Sequence, residues 1–293
     1  VHMMEEKQKD YFITRYSLIP DTQIDIDTAI GISKEMKFND WLMSFKQEKR
    51  KETTHRGTNY ALYCKQLSEC CFFMRFAKEL QDIIGEKTDE GIVDTPMGNY
   101  KKCNILINTT NQWMVIEKNT EISATLESQK SIIANVISKF LKPKNLYFEI
   151  GIMAEKNYFW EYVATNKGAI TDVDITLSSP NFLGGIKTVN DFLHKTNEKY
   201  NNTSVSIHLK NEDGRLNIDS NNEFLQDAIR YSSAGGGKWK IKSNTDKKGC
   251  SNVDNPFIVH LPEELGQLKD SDMQIINNTF AHIKRIDPEH RKE

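Results

Sequence analysis

The chain has 293 residues, 38% hydrophobic and 27% charged, which is the balance of a soluble globular protein and not of a disordered one. Lys+Arg 39 against Asp+Glu 41 gives a formal net charge of −2, so a globally basic coat for nucleic acid is excluded and any basic site is a local patch. No apolar run approaches the roughly 20 residues of a membrane-spanning helix. The charged start (Glu5, Glu6, Lys7, Lys9) does not read as a secretory signal, so a cytoplasmic chain of about two domains is expected. Val1-His2-Met3 reads as a cloning remnant ahead of a native start at Met3 or Met4.

In chain order, Tyr11 to Ile19 is rich in β-branched and aromatic residues and stops at Pro20, which predicts a strand. A short helix is expected from an Asn39 cap, with Trp41, Leu42 and Phe45 on one face. The charged stretch from Lys46 to Arg56 reads as an exposed linker. Tyr60 to Leu67 and Cys70 to Ala77 fit either two strands or one helix. Asn104 to Asn108 and Trp113 to Glu117 flank the polar Thr109-Thr110-Asn111-Gln112, which is a hairpin pattern. A helix from about Glu121 to Leu141 carries Leu126, Ile133, Val136, Ile137 and Phe140 at helical spacing, and Pro143 ends it.

That helix is the natural seam in an α+β fold, with a β-rich domain over 1–142 and an α/β domain of alternating strands and helices over 143–293. The second half opens with an apolar strand, Leu146 to Met153, and a short helix, Tyr158 to Ala164. Val173, Ile175 and Leu177 alternate with Asp172, Asp174 and Thr176, a strand with one wet face. Thr188 with Asp191, and Ser220 with Glu223, have the spacing of capping boxes for two further helices. Between them Val205, Ile207 and Leu209 form a strand. Gly235-Gly236-Gly237 ends the second helix by supplying positive φ, ahead of a short strand Lys238 to Lys242. Met273, Ile276, Phe280 and Ile283 mark a last helix, stopped by Pro288.

No catalytic signature emerges. Gly235 to Lys238 is not a phosphate loop, because Trp239 stands where Ser or Thr is needed and the order is helix then strand. The five cysteines (Cys64, Cys70, Cys71, Cys103, Cys250) include no CxxC and none stands near a histidine, so reduced buried thiols are expected, without structural zinc or a cofactor. Asp172 with Asp174, and Asp25 with Asp27, share strand faces, yet no third carboxylate or suitably spaced lysine completes a metal-nuclease set, and Glu117 is followed by Lys118 at the wrong spacing. His208 and His260 lack a visible partner and read as structural.

The most informative stretch is Lys238-Trp239-Lys240-Ile241-Lys242. Strand periodicity puts its lysines on one face and Trp239 with Ile241 on the other, and Lys247 and Lys248 follow. From Arg230 to Cys250 six basic residues meet one acid, Asp246. Such a cluster suits phosphate neutralisation; its bland alternative is a solvated edge strand guarded by lysines. A second cluster, Lys46 to Arg56, contains Arg50 and Lys51 and would complete a groove if it lay beside the first.

Ile105-Leu106-Ile107 … Gln112 to Glu117, then Val173 to Asn181, Gly214-Arg215-Leu216 and Ala234 to Lys242, together resemble a loose set of bacterial and prophage proteins linked to phage exclusion (abortive infection), those of the lambda RexA type and domains of unassigned function. The resemblance implies a two-domain, dimeric DNA-binding protein of a defence system, and it transfers no functional residue. The sequence-based expectation is therefore non-enzymatic binding of nucleic acid, DNA before RNA, by Lys238, Trp239, Lys240, Lys242, Lys247, Lys248, Arg50 and Lys51, with a second defence protein as a further partner. The alternatives are a metal-dependent nuclease toxin using Asp172 and Asp174, and a protein-binding sensor or inhibitor without nucleic-acid contact.

Overall fold

The computed structural model describes residues 7–21, 31–89, 91–178, 186–263, 265 and 270–287. The expected start at Met3 or Met4, the Asp25 and Asp27 pair, the segment Ser179-Pro180-Asn181 and the stop at Pro288 lie outside the described residues.

The fold is α+β, built on two sheets whose ladders all run antiparallel. Among the described residues eight strands make the first sheet: β1 (Gln8–Pro20), β2 (Arg50–His55), β3 (Thr58–Gln66), β4 (Cys71–Thr88), β5 (Gly91–Asn108), β6 (Trp113–Glu117), β7 (Leu146–Ile152) and β12 (Ile258–Pro262). Their order is β12-β1-β6-β5-β4-β3-β2, with β7 also on β1. The second sheet has the order β11-β10-β8-β9, from β8 (Ile170–Ser178), β9 (Ser204–Lys210), β10 (Gly237–Ser243) and β11 (Cys250–Ser251). The boundary at 142/143 does not separate these sheets. β7 and β12, both beyond it, pair with β1, so the second sheet is inserted between two strands of the first.

The first sheet is covered on both faces. Phe12 and Tyr16 of β1 pack with Phe38 and Trp41 of α1 (Lys34–Met43) and with Ile133 and Ile137 of α2 (Leu126–Leu141). Tyr11, Ile13 and Trp113 face Ile276, Phe280 and Ile283 of α6 (Asp270–Ile286). Strands buried on both faces lose period-2 alternation, which is why β1 and β6 read as continuous apolar runs. α2 is thus part of the first core and not a seam. β4 and β5 pair on from Glu79↔Tyr100 to Thr88↔Gly91, beyond the last rung that β4 makes with β3, so this stretch is a two-stranded ribbon, with Ile92 78% exposed.

The second sheet has one wet face. Val173, Ile175, Leu177, Trp239 and Ile241 pack beneath α3 (Asn157–Thr165), α4 (Lys187–Tyr200) and α5 (Glu223–Ser233). Several local expectations change. Lys46 to Arg56 is not a linker, because Arg50–His55 is the edge strand β2. The ambiguous pair at 58–77 is two strands. α1 starts at a Ser33 cap, whose side chain accepts from Met36 N, and not at Asn39. Neither capping box forms: α4 has no side-chain cap, and α5 is capped by Asn222, whose side chain accepts from Leu225 N.

Candidate anion-binding face and adjoining cleft

β10 alternates as its sequence dictates. Lys238 and Lys240 are exposed and Lys242 is half-buried on the outer face, while Ile241 and Trp239 fill the core. Trp239 is 1% exposed, lies edge-on to Phe159 at 5.2 Å, and donates through Nε1 to Ser233 Oγ at 3.2 Å. It therefore cannot touch a surface ligand, which corrects its place among the contact residues. Lys247 and Lys248 are exposed in the turn that follows.

The neighbouring strand tempers this face. Lys240 stands opposite Asp174 and Lys242 opposite Asp172, whereas Lys238 stands opposite Thr176. Opposite charges directly across a ladder attract by about 0.2–1 kcal/mol, so two of the three lysines have a carboxylate at hand. Asp174 itself is hydrogen-bonded to His208 Nδ1 of β9, and His260 contacts Asp10 at 2.9 Å. Both histidines have carboxylate partners that no local sequence pattern could reveal, because the pairs form across ladders.

Arg50 and Lys51 do not join this group through any ladder. They lie on β2, the outermost strand of the other sheet. Arg50 pairs with Glu52 at 3.1 Å; Lys51 pairs with Glu48 at 2.5 Å and sits 5.2 Å over the Phe45 ring. Among the described residues no three His, Cys, Asp or Glu side chains are grouped to hold a metal ion. Cys64, Cys70, Cys71, Cys103 and Cys250 are free thiols, and burial pushes the Cys64 thiol up to about 12, away from nucleophile chemistry. Glu117 is buried against Lys9 at 2.6 Å and accepts from Asn104 N at 2.9 Å, a structural role.

A cleft of about 270 Å³ opens beside the lysine strand, where the two sheets meet. Glu127, Lys130 and Ser131 of α2 form one wall, Glu149 of β7 rises from the floor, and Ser178 and Lys238 close the far side. Lys130 Nζ donates to Ile150 O at 3.0 Å and pairs with Glu127 at 3.2 Å. Glu127 Oε2 is shielded from water and, although it touches that ammonium, has no hydrogen-bond partner of good geometry. Burial raises the Glu149 carboxyl above the ordinary glutamate range, opposed by a hydrogen bond with Ser178 and by the Lys130 charge.

The sequence held a signal for this wall. Glu127, Ser131 and Asn135 recur at helical spacing away from the apolar stripe of α2, with Lys130 at the edge of that stripe, and Glu149 is the lone carboxylate in an apolar strand. Nothing local tied the two together, since strand and helix wall meet the second sheet only in the fold.

A proton-linked consequence follows from Glu149. Its raised folded-state pKa means that the folded chain binds more protons than the unfolded one, so stability falls as pH rises from the ordinary glutamate pKa of about 4.3 through the raised value. Glu149→Gln is expected to raise the melting temperature at pH 7.5, with the gain closing by about pH 4, in paired thermal scans. A gain of equal size at both pH values would contradict this account.

No protein-family model matches the chain, and no curated protein sequence matches it either. Among the described residues no helix is long and apolar enough to cross a membrane.

Proposed function

We propose that the protein binds nucleic acid through its phosphate backbone, along the outer face of β10 and the turn after it. The observation that carries this reading is the alternation of β10: Trp239 and Ile241 anchor the strand in the core, which holds Lys238, Lys240 and Lys242 on its outer face as a fixed row. Lys238 and Lys240, with Lys247 and Lys248 in the turn, are exposed. Lys242 and its neighbour Asp172 contribute little net charge. Asp174, beside Lys240, repels phosphate in part, so the binding is weak and backbone-directed. Arg50 and Lys51, on the edge strand of the other sheet, each have a glutamate partner of their own. The likeness to phage-exclusion proteins supports DNA over RNA and a defence setting, with a second protein of that system as partner.

The nuclease reading gains no support from the geometry. Asp172 and Asp174 sit opposite lysines on an open strand face, and Asp174 is held by His208.

Four phosphate contacts imply a salt slope of roughly −3.6, or about a 150-fold loss of affinity between 50 and 200 mM salt. Charge reversal of Lys238, Lys240 and Lys242 to Glu is expected to abolish retention in a low-salt gel shift. The milder set Lys240→Gln, Lys247→Gln and Lys248→Gln guards against misfolding and is expected to flatten the salt slope by about 2.7. Unchanged retention of DNA by both sets, with circular dichroism intact, refutes the reading.

A further inference from the structure

The cleft beside β10 is chemically different from the lysine face. It combines hydroxyls, two carboxylates and two ammonium groups in about 270 Å³, just below the roughly 300–1,000 Å³ of sites for drug-sized ligands. An ionised carboxylate accepts at about four lone-pair sites, and a vicinal diol offers two donors at suitable spacing. Glu127 Oε2 already lies 3.2 Å from Lys130 Nζ and Glu149 is hydrogen-bonded with Ser178, and each carboxylate keeps further lone pairs toward the cleft that they line. Lys238 and Lys130 both line the cleft, Lys130 beside Glu127 and Ile150 O, and supply the positive charge that a phosphate monoester needs. No lining ring is free to stack a base, because Phe148 is 2% exposed and packed between Tyr16 and Phe38 at 5.2 and 5.3 Å.

We propose that this cleft binds a sugar phosphate, with the phosphate between Lys130 and Lys238 and the sugar hydroxyls on Glu149, Glu127 and Ser178. The ligand comes either as a free nucleotide or as the phosphorylated end of a nucleic-acid strand, and recognition ignores the base. The site shares Lys238 with the proposed nucleic-acid face but does not depend on that reading, since its other groups belong to α2, β7 and β8.

Titration calorimetry on the full chain tests this with ribose 5-phosphate, ribose, inorganic phosphate and the four nucleoside monophosphates. Ribose 5-phosphate and all four monophosphates are expected to bind alike, with ribose and phosphate alone at least about tenfold weaker. Glu149→Gln, isosteric and expected to fold, and Lys238→Met should each weaken ribose 5-phosphate binding by about tenfold or more. Lys247→Gln with Lys248→Gln should leave that binding unchanged while polymer retention falls, which separates this site from the lysine face. In the Lys247→Gln, Lys248→Gln background, where the shared Lys238 is no longer contested by the polymer face, competition by a 5′-phosphorylated oligonucleotide and not by its 5′-hydroxyl twin assigns the strand end; competition by mononucleotides alone assigns the free nucleotide. The proposal is overturned if no sugar phosphate gives saturable heat, or if neither cleft variant alters the affinity.

Discussion

Asp287→Ala is expected to destabilise the fold by about 3–5 kcal/mol, the cost of removing one partner from a buried ion pair. Asp287 follows α6 and is fully buried; its Oδ2 contacts the Arg15 guanidinium and accepts from Trp113 Nε1 at 3.0 Å. Arg15 is also buried, and its Nε donates to Ala234 O at 2.8 Å, on the loop that leads into β10. One guanidinium thus ties the first sheet, the last helix and the second sheet together. Without the carboxylate its charge stays in a low-dielectric site with weaker compensation, and the indole loses an acceptor. Urea titration is expected to show the full loss for Asp287→Ala and a smaller one for Asp287→Asn, which keeps an acceptor for Trp113. Arg15→Met with Asp287→Leu is expected to recover most of the difference, because an apolar pair removes the desolvation cost along with the attraction. A loss below about 1 kcal/mol for Asp287→Ala would show that Arg15 is satisfied by its other partners.

What the sequence made legible divides along a physical line. Features set within one strand or helix could be read: the alternation of Val173, Ile175 and Leu177, the placing of Trp239 and Ile241 on the face opposite the lysines, the hairpin at 104–117 and the apolar stripe of α2. Features set by pairing across the chain could not. β2 has a charged sequence and becomes a strand only because β3 offers it a ladder from Arg50↔Tyr63 to His55↔Thr58. The lysine row was visible, but the two aspartates facing it were not, since register between β8 and β10 is fixed by packing some 65 residues apart in sequence. Trp239 was misassigned for the same reason: an aromatic flanked by lysines looks like a stacking residue until its face of the strand is known to be covered by helices. The capping boxes failed because side-chain competition at helix starts is local but weak. Asn222 lies closer to the first turn of α5 than Ser220 and takes the donor at Leu225 N.

The glycines at the junction lead to the other large expected effect. Gly151 of β7 and Gly235 before β10 meet backbone to backbone, and a Cβ on Gly151 would lie 1.9 Å from Gly235 O. Gly235 also has φ +91, and a Cβ there would lie 2.7 Å from Arg15 Cβ. These glycines are therefore more than a helix stop, because they let the second sheet sit directly on β1 and β7. Nothing flexible can give way at Gly151, so Gly151→Ala is expected to cost at least about 3 kcal/mol, the upper range for overpacked sites. Gly168→Ala isolates the other effect: like Gly235 it has a positive φ, +76, but it has open space around it, so only the backbone term of about 1 kcal/mol applies. Because the clash lies between the sheets, hydrogen exchange is expected to quicken at Trp239 and Ile241 in β10 while Ile13 and Val115 in the first sheet stay protected. Uniform quickening across both sheets would mean that they unfold as one unit. Gly151 and Gly235 also line the cleft, so the same substitution is expected to remove sugar-phosphate binding even where the protein remains folded.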